Sequence, residues 1–350
     1  HYLFPRLSTS KFFAKYDFLK KFSEDITIIN KTEQVFVKEE TSIDKISNQA
    51  SSSVVNIISL PKTESSGSLK KGPAVQESKN GTGVIVTSDG LIMTYSSAII
   101  PNKANYKVIT KDGKDYDADF FGLDSYSNLY FLKINASNLS AISFGNSSDS
   151  KPGEKVVAVG NSYGVYSNRY AGGLLSSFNP TFNLAGKSLS FSDKLEGVFE
   201  TDFNAGEKFV GGPIIDYSGQ TIGIFGIVEN NGITESFQIP SNKVKKVIER
   251  AIKKELDKDP ALGVYYIPIT KTYAANKNLS LDHGALVFSY SGQQGLAMIT
   301  GSAGQKAGLQ DADAESAAAA TEGCLRLLAV ATLNGASEHE RLHLFVRPAQ

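Results

Sequence analysis

Between Ser52 and Pro240 the chain consists of short β-branched and aromatic runs, each closed by a glycine-containing turn about ten residues after the last. "SSVVNIISL", "GTGVIVTSDGLIMTYSSAII", "YKVITKDGKDYDADFFGLD", "NLYFLKI", "EKVVAVGNSYG", "RYAGGLLSSF", "GVFETDF" and "GGPIIDYSGQTIGIFGIV" succeed one another with no helical period between them. A parallel sheet needs a crossover between its strands, commonly a helix, and nothing here supplies one. The rhythm therefore predicts an all-β sandwich or barrel. After Pro240 the period changes. "PSNKVKKVIERAIKKELDKDP" places Val244, Val247, Ile248, Ala251, Ile252 and Leu256 on one stripe, which predicts an amphipathic helix over 241–257 with Ser241 or Asn242 as its N-cap.

Length and charge narrow the function. At 350 residues more than one core is expected. Lys and Arg number 36 against 36 Asp and Glu, so no long-range field gathers nucleic acid, and none is expected as a partner. The one cysteine, Cys324, excludes an internal disulfide and a thiolate metal cluster. No apolar run reaches the roughly 18 residues of a membrane span. Gly81-Thr82-Gly83 has no phosphate-loop lysine and leads into a strand, so a nucleotide reading fails on context.

The ends differ from the middle. Residues 1–51 read as an N-terminal arm with aromatic and lysine alternation at 11–22, followed by a polar linker. Residues 314–350 read as compositionally foreign, because the last 44 residues, 307–350, hold no Lys and no Ile, whereas Lys dominates the basic residues before them. His339 and His343 stand at helical metal-ligand spacing without a third ligand, and no metal or cofactor is expected.

In their order these β segments resemble the trypsin-like domain of the HtrA/Deg family of serine endopeptidases, and the small unit after them that family's PDZ domain, the resemblance running from about Ser52 to Asp313. "GTGVIVTSDGLIMT" is similar to the strand, turn and strand that lead to the family's catalytic histidine. "DSYSNLYFLKI" is similar to the strand entry that holds its aspartate, "PGEKVVAVGNSYG" to a later strand, and "ETDFNAGEKFVGGPIIDYSGQTIGI" to the nucleophile loop. The resemblance implies a mainly β fold: a double six-stranded antiparallel barrel at 52–240, a closing helix and linker at 241–260, and a truncated PDZ-like α+β module at 261–313.

Serine-type hydrolysis needs a hydroxyl, an imidazole to take its proton and a carboxylate to orient that imidazole. Carried across the motifs, the histidine position falls at Ser97, the aspartate position at Asn128 and the serine position at Val210. None of the three keeps the required group. The four histidines are His1, His283, His339 and His343, so none lies between residues 2 and 282 to stand in as base. The oxyanion-loop positions Lys208 and Phe209 depart as well, since a lysine stands where the resemblance expects a glycine able to take a positive φ. Lys208 with Ser96 or Ser97 could imitate a serine–lysine pair, and Asp124 with Asp202 a carboxylate pair; Asp202 reads better as a structural hydrogen-bonding residue.

In the PDZ-like module the resemblance places peptide-carboxylate recognition on the backbone of Leu262, Gly263 and Val264. The expected function is that of a catalytically inactive HtrA/Deg homologue that binds unfolded or C-terminal peptide segments in protein quality control. Two alternatives stand beside it: an active serine endopeptidase with an unconventional site, and a structural subunit of a homo- or hetero-trimeric protease assembly, served by the aromatic arm. By resemblance the location is extracytoplasmic, periplasmic or cell envelope, with an N-terminal membrane anchor preceding His1.

Overall fold

The computed structural model describes residues 52–307, apart from 63–77, 102–103, 162–167, 186–188, 204–205, 231, 259–260, 280–281 and 289–296, together with the backbone of 327–328 and 345–346. The expectations for the arm at 1–51 and for His339 and His343 lie outside the described residues, as does nearly all of the tail at 314–350.

Six strands close the first barrel: β1 (Val54–Pro61), β2 (Lys79–Ile85), β3 (Leu91–Tyr95), β4 (Ala104–Ile109), β5 (Asp115–Asp124) and β6 (Leu129–Ile134), in the order β1-β2-β3-β6-β5-β4. Every pairing is antiparallel, with Ile57 opposite Gly81 and Val108, and Met93 opposite Val84 and Phe131. The turns are those read from the sequence. Gly90 and Gly113 take positive φ, and the Thr87 and Thr110 hydroxyls bond Asp89 and Asp112 across them.

The second barrel follows the same plan with β7 (Lys155–Gly160), β8 (Arg169–Asn183), β10 (Glu196–Thr201), β11 (Pro213–Asp216), β12 (Thr221–Asn230) and β13 (Ile233–Pro240), in the order β10-β13-β12-β11-β7-β8. The two-residue strand β9 (Ser190–Phe191) stands outside it.

Side chains alternate across a strand, and here both faces of several strands are buried. Val55, Ile57, Ile92, Tyr130 and Leu132 fill the first barrel. Their neighbours Val54, Met93, Leu129 and Phe131 point the other way and join one core with Phe199, Ile214, Phe225 and Phe237 of the second barrel. This is why β1, β3 and β6 carry apolar residues on both faces, interrupted only by Asn56, Ser59, Thr94 and Lys133. The seam also carries side-chain bonds: Thr94 Oγ1 donates to Thr82 O at 2.6 Å, while Asn56 Nδ2 crosses to Asn161 O at 2.8 Å.

The closing helix spans Ser241–Ile252, shorter than the 241–257 read from the sequence. Lys253 caps it and Lys254 turns into positive φ at 58°. Leu256 still packs on the core, but from beyond the helix, against Gly122. Ile252 is 57% exposed instead of buried. The N-cap differs too. Pro240 holds that position without a side-chain cap, and Ser241 is the first helical residue, its hydroxyl donating to Gly145 O at 2.9 Å. A buried carbonyl from the second barrel's rim competes for the capping hydroxyl and wins.

Past the helix, β14 (Tyr265–Ile269) pairs with β15 (Gly284–Val287) on one edge and with β9 on the other. Short helices at Lys271–Lys277 and Ala303–Lys306 accompany them, and Val264, Val287, Ala297 and Met298 form a small third core.

Candidate active site

The ends of β3, β6 and the loop before β11 meet at one point of the inter-barrel seam. Ser97 sits in the 3-10 turn Ser96–Ala98 that ends β3. Gly81 allows the turn to approach β2, because a Cβ there would lie 2.2 Å from Ala98 O. The Ser96 N–H donates to Asn128 O at 3.0 Å, joining the first expected position to the second. Asn128 itself takes a φ of 58°, a left-handed conformation that asparagine tolerates better than most residues.

Val210 ends the 3-10 turn Glu207–Phe209 and is only 1% exposed. The next residue, Gly211, has a φ of +84°, and a Cβ there would stand 2.3 Å from both Thr82 O and Thr94 Oγ1, and 3.1 Å from Tyr95 N. Gly211, next to Val210, thus packs on the Tyr95 backbone, two residues before Ser97, while the Asn128 side chain reaches the Tyr95 hydroxyl. Gly211→Ala is expected to cost about 3 kcal/mol, combining the left-handed penalty with overpacking. Chemical denaturation of the variant checks this.

What surrounds the three positions differs from a charge-relay arrangement. Ser97 Oγ is shielded and has no hydrogen-bond partner among the described residues, so it forms no pair with Lys208. Asn128 Nδ2 reaches Tyr95 OH at 3.4 Å, and Lys194 Nζ donates to Asn128 Oδ1 at 3.0 Å and to Ser125 O at 2.6 Å. An ammonium thus stands against the position expected to hold a carboxylate. Burial pushes the Lys194 ammonium below its ordinary pKa, with Asp124 pulling it back up; burial also raises the Tyr95 phenol.

Nor does the loop expected to hold an oxyanion turn these donors outward. The Val210 N–H donates to Glu207 O at 3.3 Å, and the Phe209 N–H to Gly206 O at 3.3 Å, so these two donors close on the loop itself, while the Gly211 N–H goes to Phe225 O at 2.8 Å. Positive φ is taken by Gly206, at 62°, and not by Lys208, which lies inside the 3-10 turn. Phe209 is buried against Gly160, and Thr82 Oγ1 fixes Lys208 O at 3.2 Å while accepting the Asn161 N–H at 2.8 Å. Oxyanion stabilisation needs N–H groups preorganised toward the reacting oxygen.

The other carboxylates have structural partners. Asp124 is fully buried, bonded by the Ser127 N–H and hydroxyl and by Arg250 Nη1 at 3.0 Å. Asp202 Oδ1 accepts the Leu174 N–H at 2.7 Å, as its structural reading expects. Among the described residues no group of His, Cys, Asp and Glu could hold a metal ion.

Leu262, Gly263 and Val264 lie elsewhere, facing Ser192 and Asp193 of the β9 loop. Next to them Glu196 Oε2 accepts Tyr266 OH at 2.7 Å. Burial raises the Glu196 carboxyl above its ordinary 4.5, against the smaller opposing pulls of Tyr266 and Lys243. The folded state therefore keeps a proton that the unfolded chain has released. Stability should fall as pH rises from 4.5 through the raised value, and Glu196→Gln should flatten that part of the Tm–pH curve.

Sequence reasoning missed Tyr95, Lys194 and Asp193. Lys194 lies 66 residues from Asn128, and no local pattern marks it as a partner.

Two closed antiparallel barrels with their strand ends converging on one seam loop define the class: this is a trypsin-like peptidase fold. Residues 81–224 match the family model described as "Trypsin-like peptidase domain". The chain is 30% identical over 249 residues to a protein of Chlamydia pneumoniae described as "Probable periplasmic serine endoprotease DegP-like", covering 70% of this chain and 48% of that one. A Brucella suis protein of the same description is 30% identical over 214 residues, covering 60% of this chain and 40% of the relative. A solved structure, "Crystal structure of Deg5", covers 62% of this chain and 97% of its own, at 23% identity and a TM-score of 0.49. The chain belongs to the HtrA/Deg family. It spans about half the length of the curated relatives it matches.

Proposed function

We propose that this chain is a catalytically inactive HtrA/Deg homologue that binds unfolded or C-terminal peptide segments, as a component of protein quality control. The observation that carries the reading is the absence of any imidazole from residues 2–282, combined with a buried valine at the nucleophile position. A serine hydroxyl without a base is a poor nucleophile at neutral pH. In a serine protease, loss of the triad costs about 10⁶ in turnover, and what remains depends on the oxyanion hole. Here the Val210 N–H is turned back on Glu207 O.

The scaffold that would present a peptide is retained. The double barrel at 52–240 carries the closing helix, and we assign 261–313 to a partial PDZ-like domain whose Leu262–Val264 backbone receives a carboxylate. The relatives' description as periplasmic supports an extracytoplasmic location for this chain as well. Among the described residues no helix is long and apolar enough to cross a membrane.

The test is incubation of the full chain with unfolded casein, reading cleavage by electrophoresis, retention by size exclusion and serine labelling by a fluorophosphonate. Retention without cleavage or label is expected. Cleavage that survives repurification, with a labelled serine, would sink the inactive reading. Absence of retention would sink the binding half.

A further inference from the structure

A carboxylate already sits on the backbone donors of the Leu262–Val264 loop. The Leu262 and Gly263 N–H groups donate to Asp193 Oδ1 at 2.8 and 3.0 Å, and the Val264 N–H donates to Ser192 Oγ at 3.0 Å. Three consecutive backbone donors thus converge on one turn of the β9 loop. The receiving loop is fixed from behind. Gly263, at φ +70°, has Ser302 where a Cβ would point, the Ile299 N–H donates to Gly263 O at 2.8 Å, and the Gly304 N–H donates to Leu262 O at 2.9 Å.

The occupant continues as a strand. Phe191 and Ser190 pair antiparallel with Tyr265 and Tyr266, the Ser192 N–H donates to Val264 O at 2.9 Å, and Phe191 stacks on Tyr265 at 4.6 Å with the rings 25° apart. This is strand addition to a sheet edge with an acidic group at its end, made by the protein's own chain. Because β15 holds the opposite edge of β14, both edges are taken.

We propose that Ser190–Asp193 is an internal ligand of the Leu262–Val264 loop: it closes the site to free peptides, and its form specifies the class of ligand the site accepts. That class is an extended peptide with a terminal carboxylate and an aromatic side chain two residues before the carboxylate-bearing residue, placed to stack on Tyr265. The inference rests on reading this loop as a carboxylate receptor. An outside peptide binds only the fraction of molecules in which the segment has left, so apparent affinity falls by that fraction.

Three fluorescein-labelled peptides test it against the full chain by anisotropy. One is Gly-Lys-Ser-Leu-Ser-Phe-Ser-Ala with a free carboxylate, one is its C-terminal amide, and the third carries Ala for Phe. Asp193→Ala should bind the free-carboxylate peptide at least about tenfold more tightly than the unaltered chain does, and should discriminate against the other two. Asp193→Asn, which keeps an acceptor of the same size, should gain less and guards against a folding failure of the alanine variant. Hydrogen exchange of the unaltered chain supplies the second readout: the amides of residues 262–264 should be slow, and faster in Asp193→Ala.

Equal affinity of Asp193→Ala and the unaltered chain for the free-carboxylate peptide, or fast exchange at 262–264 in the unaltered chain, overturns the internal-ligand assignment. Failure of every probe in both proteins overturns it too, and if casein is still retained the proposed function stands without it. A tenfold gain with no casein retention upholds the internal ligand and removes the broader binding role.

Discussion

On the proposed reading of the site, installing a triad by Ser97→His, Asn128→Asp and Val210→Ser should yield a protein that a fluorophosphonate labels slowly and that cleaves casein far below a competent enzyme. The reason lies in the loop. Val210 N–H is committed to Glu207 O, and Lys208 lies inside the 3-10 turn Glu207–Phe209, with the positive φ on the capping Gly206 instead. Lack of one oxyanion donor costs about 10²–10³ in turnover in an otherwise intact site. Adding Lys208→Gly, which admits the positive φ, should recover a factor of that order over the triple variant. Side-by-side casein turnover of the two proteins decides it. Equal rates would show that the loop's inward donors do not limit catalysis. The new imidazole would also face Lys194 across Asn128→Asp, so the ammonium that now bonds Asn128 Oδ1 would compete for the restored carboxylate.

The second large effect is on stability. Arg250→Met should cost about 3 kcal/mol, because it removes the ion pair of the fully buried Asp124 carboxylate and leaves only the more distant Lys194 ammonium to offset its charge. The lower end of the buried-pair range applies, since the guanidinium is 26% exposed and Ser127 still bonds the carboxylate. Arg250 also donates to Glu255 O and Leu256 O, so the chain beyond the closing helix should loosen in the same variant. Urea unfolding gives the cost. If Asp124→Asn combined with Arg250→Met restores most of it, the penalty is the bare charge; if the pair of substitutions is additive, it is not.

The antiparallel β architecture was legible in the sequence because its signals are local. Strand length, β-branched and aromatic runs and the Asp-Gly and Ser-Gly turns each act over a few residues. The breaks in the expectations come where distant groups compete. Ser241 loses its capping role because Gly145 O, 96 residues away, takes its hydroxyl. Ile252 lies on the right stripe but past the point where the barrel can cover it. The flanking motifs supply the expectation for Ser97, Asn128 and Val210. Their surroundings could not be read that way, because Tyr95, Lys194 and the inward Val210 N–H are brought together only by closure of both barrels. The same limit hid Asp193, whose partners lie 69 and 70 residues along the chain.

The shared core has a consequence for how the molecule comes apart. Val54, Met93, Leu129 and Phe131 of one barrel are interleaved with Phe199, Phe225 and Phe237 of the other, and Thr82 and Asn56 carry hydrogen bonds across the same seam. Neither barrel can open without exposing the apolar face of its neighbour. Loss of structure should therefore be cooperative over 54–240, as one folding unit in place of two, and amides on β3 and β12 should exchange through the same global opening.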